Sequence, residues 1–183
     1  MPHTVSPCPA RRQRGVSAVE ALIVVFVLAL VIGLGAPSLR GQAQRQELIG
    51  VAAQLATDLQ LARSEAVARN RSLRLTLKED HGASCYLIHE GPVPACSCAD
   101  VERRSCPVDG AIVHAVALGA ASPVQLRSTV RSLVFDPVKG TVSPTATIRV
   151  ESTNGQALHQ VVSIVGRVRS CSPQGRVVGA PAC

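Results

Sequence analysis

Residues 16–36 read VSAVEALIVVFVLALVIGLGA and carry a single charged residue, Glu20. As a helix, these 21 residues rise about 32 Å, which matches a bilayer hydrocarbon core of about 30 Å. A buried helix of a soluble protein is the alternative, but such helices seldom continue so far without a second charge. The stretch therefore predicts a transmembrane helix.

The flanks of this stretch predict its orientation. Arg11, Arg12 and Arg14 precede it, and no acidic residue occurs in 1–15. Because basic flanks stay in the cytoplasm, everything after Ala36 is expected outside it. Six of the seven cysteines lie in that exported part, as expected for a protein with disulfides in an oxidising compartment.

The polar segment before the helix has the form of a cleavable leader. A secretory signal is cut beyond its apolar core, whereas a cut after Gly15 would remove residues 1–15 and keep the whole helix. The segment RRQRGVSAVEALIVV (11–25) resembles the class III leader of type IV prepilins and pseudopilins. The resemblance implies cleavage after Gly15 by a prepilin peptidase and N-methylation of Val16, where many members have Phe.

Glu20 matches the glutamate found five positions into the mature chains of that family. A carboxylate at the edge of hydrocarbon is costly, so its presence suggests a function. We expect it to pair with the amino terminus exposed by cleavage, on its own or a neighbouring subunit, during filament assembly. The alternative is a side chain that reaches the headgroup layer.

Residues 37–71 continue as an amphipathic helix. Apolar residues recur every three or four positions, which predicts one stripe packed on the following domain. They are Leu48, Val51, Ala52, Leu55, Leu59, Ala62 and Ala66. Asn70 is a suitable helix stop because asparagine tolerates the left-handed conformation.

Within this helix, DLQLARSEAVARN (58–70) closely resembles the signature of the GspH/FimT family. That family includes a type II secretion pseudopilin and the FimT-like minor pilins of type IV pili. The resemblance implies a bacterial inner-membrane protein with a periplasmic head. After assembly it would lie in a filament or at its tip, with other pilins or pseudopilins as partners.

Residues 72–183 have the pattern of an antiparallel, β-rich head. SLRLTL (72–77) alternates with period two, and CYLIH (85–89) is its hairpin partner. Asn154-Gly155 predicts a tight hairpin. The remaining strand-like runs are 111–118, 132–136, 145–151 and 160–168. One long helix followed by short strands predicts an α+β fold, here of the type IV pilin-like kind.

The cysteines of the head point to disulfides. Cys96, Cys98 and Cys106 lie in a Pro-rich segment, 91–109, which we interpret as an irregular loop stapled by disulfides. A zinc site with nearby histidines is the alternative, although C-x-C spacing is unusual for zinc. Cys171 and Cys183 could close a loop of about a dozen residues and are the favoured pair, and Cys85 completes the six candidates.

Positive charge concentrates at the carboxy-terminal end. Residues 127–183 contain seven Lys or Arg residues against two acidic ones, a net charge of +5. Arginine dominates, and arginine suits bidentate phosphate contacts. The alternative to a phosphate-binding site is a charged surface that is simply exposed to solvent.

The family resemblance adds a DNA-binding expectation. FimT-like minor pilins are implicated in DNA binding for uptake during natural transformation, and their carboxy-terminal region carries a G-R-x-R motif. Gly166, Arg167, Val168 and Arg169 match it, and Arg176 follows nearby. With few aromatic residues available for base stacking, the expected partner is the phosphate backbone of double-stranded DNA.

No motif of an enzyme or of a cofactor site occurs in the sequence. Three functions remain open. The first is a minor type IV pilin that binds DNA; the second is a structural minor pilin or type II secretion pseudopilin with protein partners only. The third is a membrane protein without a filament role, which requires that Gly15 is not a cleavage site.

Overall fold

The structure, a computed structural model, describes residues 17–173, 175, 177 and 179–183, without the side chains of 33–40. Gly15, Val16 and Arg176 therefore lie outside the described residues. The chain forms two compact units, with their boundary between residues 40 and 41.

The first helix, α1, spans Ala18–Arg69. Ser17 precedes it, and the Ser17 hydroxyl accepts a hydrogen bond of 3.2 Å from the backbone N–H of Glu20, as expected of an N-cap. All described side chains from 17 to 32, including that of Glu20, are exposed. No helix within the described residues combines the length and the apolarity that crossing a membrane requires.

In the second unit, the apolar stripe of α1 is buried as predicted. Leu48, Leu55 and Ala62 have no exposed surface, and Val51 is partly buried at the edge of the same core. The helix ends at Arg69. Asn70 follows with φ +51°, and its N–H and that of Arg71 donate to Val67 and Ala66. These paired bonds form a Schellman motif, so the predicted stop at Asn70 is confirmed.

The rest of the second unit consists of two antiparallel sheets and a short helix. The order β3-β2-β1-β5-β6 forms the first sheet, and β4-β7-β8-β9 forms the second. The elements are β1 Leu73–Asp80, β2 Ala83–His89, α2 Cys98–Glu102, β3 Ile112–Leu118, β4 Val124–Ser128, β5 Ser132–Phe135, β6 Val142–Ser143, β7 Ala146–Ser152, β8 Ala157–Val162 and β9 Val168–Cys171.

One core joins α1 to both sheets. Leu55 of α1, Leu75 of β1 and Ile148 of β7 belong to the same cluster of buried side chains. A buried polar contact also crosses it: the side-chain amide of Gln160 donates to the carbonyl of Ala52 over 3.0 Å. The predicted α+β architecture, a helix packed on an antiparallel head, is therefore present.

The structure corrects several element predictions. The run 160–168 is not one strand, because a turn at 163–167 separates β8 from β9. β4 was not predicted, and the loop 91–109 contains α2, whose N-cap Ser97 forms a capping box with Asp100. The Asn154-Gly155 hairpin is present, but Ser152 N–H pairs with the carbonyl of Gln156, so its loop has three residues.

Three disulfides link the six cysteines of the head. Cys171 pairs with Cys183, the pair favoured from the sequence. Cys85 pairs with Cys98, and Cys96 with Cys106. A zinc ligand must be a thiolate, and these bonds occupy the three cysteines that the zinc alternative required.

Candidate nucleic-acid interface

The turn between β8 and β9 carries the G-R-x-R motif. The N–H of Gly166 donates to the carbonyl of Ser163 (2.9 Å), and the N–H of Ser163 donates to the carbonyl of Arg167 (3.0 Å). Gly166 has φ +73°. A tight turn closed by a left-handed glycine is a common three-residue hairpin loop. The same arrangement occurs between β7 and β8, where Gly155 has φ +81° and bonds to Ser152.

Gly166 is also required for space. A β-carbon at this position would lie 2.8 Å from Cδ and 2.9 Å from Nε of Arg63, and 3.3 Å from the carbonyl oxygen of Gly140. The Arg63 side chain is held in place because its Nε donates to that same carbonyl over 2.8 Å. Arg63 belongs to α1, so the turn rests on the signature segment of the helix.

The two arginines of the motif lie on the outward face of the second sheet. Val168 packs against the core, whereas Arg167 and Arg169 are exposed. Arg169 is opposite Val161 in the ladder, and alternation along a strand directs Arg167 to the same face. In the described part of the chain, neither guanidinium forms an ion pair with a carboxylate.

Other basic groups share this face, and no sequence motif indicated them. Arg127 of β4 is opposite Arg149 of β7, and Arg149 is opposite His159 of β8. The alternation of Arg149 with the apolar residues Ile148 and Val150 could have indicated that Arg149 points outward. The pairing with His159 could not be read from the sequence, because it depends on the length of the β7–β8 loop.

The net charge differs among Arg127, Arg149 and His159, three groups on this face. Arg127 Nε lies 3.6 Å from Glu151 Oε2, so its charge is partly balanced. Partial burial, and next the neighbouring Arg149, lower the pKa of His159, while Glu151 opposes this effect. His159 is therefore predominantly neutral at pH 7, and Arg149 carries its charge without a carboxylate partner among the described residues.

The carboxy-terminal segment is tied to this sheet. Besides the Cys171–Cys183 disulfide, the N–H of Ser172 donates to the carbonyl of Pro181 over 2.7 Å. Val177 is buried in the core. These contacts hold Pro181 and Cys183 beside the end of β9.

A second group of titratable side chains lies between α1 and the first sheet. The Tyr86 hydroxyl donates to Asp58 Oδ2 over 2.5 Å, and burial, followed by this bond, raises the pKa of the phenol. His114 Nε2 lies 3.3 Å from the same oxygen but lacks hydrogen-bond geometry. No group of three or more potential ligands suited to a metal ion occurs within the described residues, and we interpret the group as structural.

Comparisons with known proteins give one family and one solved structure. The family model described as Type II transport protein GspH matches residues 51–166, more than half of the chain. The crystal structure of the type IV minor pilin FimU from Pseudomonas aeruginosa is similar with a TM-score of 0.48 and 23% identity, covering 71% of this chain and 95% of that chain. No curated protein matches the chain.

Proposed function

The chain belongs to the GspH family, and from this premise we propose that it is a minor type IV pilin that binds double-stranded DNA during uptake for natural transformation. Arg167 and Arg169 bind phosphates, Gly166 shapes their turn, and Arg176 completes the proposed site. The observation that carries the proposal is the position of Arg167 and Arg169, exposed on one face without a carboxylate partner among the described residues.

The residues favour backbone contact over base recognition. Guanidinium groups bind phosphate oxygens in a bidentate manner. The two aromatic residues of the head, Tyr86 and Phe135, are both buried, so they are not available for stacking on bases. Binding should therefore be independent of sequence, weak, and sensitive to salt.

The experiment compares DNA affinities of the full chain, purified in detergent, over a series of salt concentrations. Arg167→Ala with Arg169→Ala removes two charges from the proposed site. Arg69→Ala with Arg71→Ala is the matched control, because these arginines are ion-paired with Glu65 and Glu90. Each phosphate contact contributes about 0.9 to the salt slope, so the first double variant should lower it by about 1.8. Equal affinities in both double variants would contradict the proposal.

Assembly is the second part of the proposal. A prepilin peptidase cuts after Gly15, Val16 becomes the methylated amino terminus, and residues 16–36 anchor the protein in the inner membrane before assembly. Glu20, exposed in α1, pairs with the amino terminus of a neighbouring subunit in the filament. Support comes from the basic leader and the apolar stretch in the sequence. Mass spectrometry of the mature protein tests it, and an intact leader would exclude it.

A structural subunit of a pilus or type II secretion filament, with protein partners only, is the alternative. The β8–β9 turn exposes Ile164 and Val165, and Val138 is 82% exposed in the loop before Gly140. Gly140 and Gly166 both lie beside Arg63 of α1. The exposed apolar side chains next to these two glycines therefore lie on the same part of the surface. Such exposed apolar groups are typical of protein interfaces. Ile164→Ser with Val165→Ser should then impair filament assembly and leave DNA affinity unchanged.

A further inference from the structure

Arg149 occupies an interior position on the outward face of the second sheet. Its strand, β7, lies between β4 and β8. The side chain is exposed, while Ile148 and Val150 on either side are fully buried. Arg149 is thus directed outward from a central strand of the sheet, and not from a loop.

The surroundings of Arg149 are unfavourable for a positive charge. Arg127, a like charge, stands directly opposite on one side, and His159, predominantly neutral at pH 7, stands opposite on the other. Like charges at opposite positions of an antiparallel pair destabilise it. Glu151, the nearest acid along the strand, lies 3.6 Å from Arg127. An arginine kept here without a compensating partner in the described residues is better explained by a ligand than by stability.

The spacing of the arginines suits one extended ligand. Arg169, Val161 and Thr147 are aligned across β9, β8 and β7, and Arg149 lies two residues beyond Thr147. With strands about 4.8 Å apart and a rise of about 3.4 Å per residue, the Cα atoms of Arg149 and Arg169 are about 12 Å apart. Double-stranded DNA presents one phosphate charge for about every 1.7 Å of axis, so one duplex can reach both.

We propose that the DNA-binding surface extends from the β8–β9 turn across the second sheet to Arg149, so that one duplex contacts Arg167, Arg169 and Arg149 together. This inference rests on the proposed function. Arg127 contributes less, because Glu151 partly balances its charge. The cations of this face come from different chain segments, which suits contacts to phosphates and not the reading of base edges in a groove.

The test uses the full chain in detergent and a duplex of mixed sequence, with affinity measured over a series of salt concentrations. Arg149→Ala should weaken binding several-fold at low salt and lower the salt slope by about 0.9. Arg149→Lys keeps the charge and should keep most of the slope. Arg127→Ala, at the opposite position on the same face, is the matched control and should change the slope less. Glu151→Gln removes the negative charge beside Arg127 and should strengthen DNA binding.

The outcomes separate this inference from the function on which it rests. If Arg149→Ala binds like the unsubstituted chain while Arg167→Ala with Arg169→Ala loses affinity, the surface stops at the turn and the inference is wrong, although the function stands. If the unsubstituted chain does not bind DNA at low salt, both are wrong. A thermal melt of Arg149→Ala, expected to equal or exceed that of the unsubstituted chain, shows that lost binding does not reflect unfolding.

Discussion

Gly166 in the β8–β9 turn lies directly against the side chain of Arg63 in the long helix, with room for no β-carbon between them. Arg63 in turn donates to the carbonyl of Gly140. One side chain therefore connects the helix with two loops of the head, and one of these loops leads into the two proposed DNA-binding arginines.

Replacing Gly166 with alanine should destabilise the protein more than the same change at Gly155. Both glycines have positive φ, which costs an alanine about 1–2 kcal/mol. Only at Gly166 would the new β-carbon collide with a neighbour, since nothing lies within 4 Å of a β-carbon at Gly155. The collision should add about 1–3 kcal/mol. Urea unfolding of both variants measures the difference. Equal losses of unfolding free energy would show that the turn accommodates the β-carbon without additional cost.

Removing Arg63 should make the Gly166→Ala substitution less harmful. Arg63→Ala loses the bond to Gly140 but opens the space that the β-carbon needs. A double-mutant cycle should then give a coupling energy of about 1 kcal/mol, because the two positions are in contact. Additive losses in the cycle would mean that the contact does not constrain the turn.

Changing Tyr86 to phenylalanine should destabilise the core. The Tyr86 hydroxyl is the donor to the buried carboxylate of Asp58, and an acceptor left without its donor costs about 1–3 kcal/mol. His114→Ala is the control: His114 Nε2 lacks hydrogen-bond geometry to Asp58, so this change should cost less. Denaturant unfolding compares them, and a larger loss for His114→Ala would reverse the assignment of the main partner.

Stability should fall as the pH is lowered below about 6.5, because His89 is buried as a neutral imidazole. Its ring lies 2.9 Å from the Thr76 hydroxyl and 2.9 Å from the carbonyl of Glu90. Since that carbonyl only accepts, Nδ1 carries the proton. Burial is the main reason that the pKa of His89 is lowered. The unfolded chain therefore binds more protons between the lowered pKa and about 6.5, so stability is complete above this window and decreases through it.

Melting temperatures between pH 7.5 and 5 measure this effect. His89→Gln should flatten the profile in that range and leave the contribution of His159, whose pKa is also lowered by partial burial. An unchanged profile in His89→Gln would assign the pH dependence to another group.

Much of the fold could be predicted from local patterns. The stripe from Leu48 to Ala66 follows helical periodicity, and the helix stop at Asn70 depends only on its own conformational tolerance. The boundary between β8 and β9 could not be predicted in this way. Ser163 to Val165 are apolar or small like the strands on either side, and it is Gly166, held in the left-handed conformation against Arg63, that allows the chain to reverse.

Some features of the candidate site could likewise be predicted from local sequence, and others could not. The apolar anchor-like stretch, the amphipathic helix, the basic character of the last third and the motif with Arg167 and Arg169 follow from the order of residues alone. Folding adds three contacts that residue order does not show: Arg149 and His159 are neighbours, Glu151 partly balances Arg127, and Gly166 rests on Arg63. Periodicity along one element depends on residues a few positions apart. Neighbours across a sheet depend on loop lengths and on packing between distant segments, where a shift of one residue turns every side chain to the opposite face.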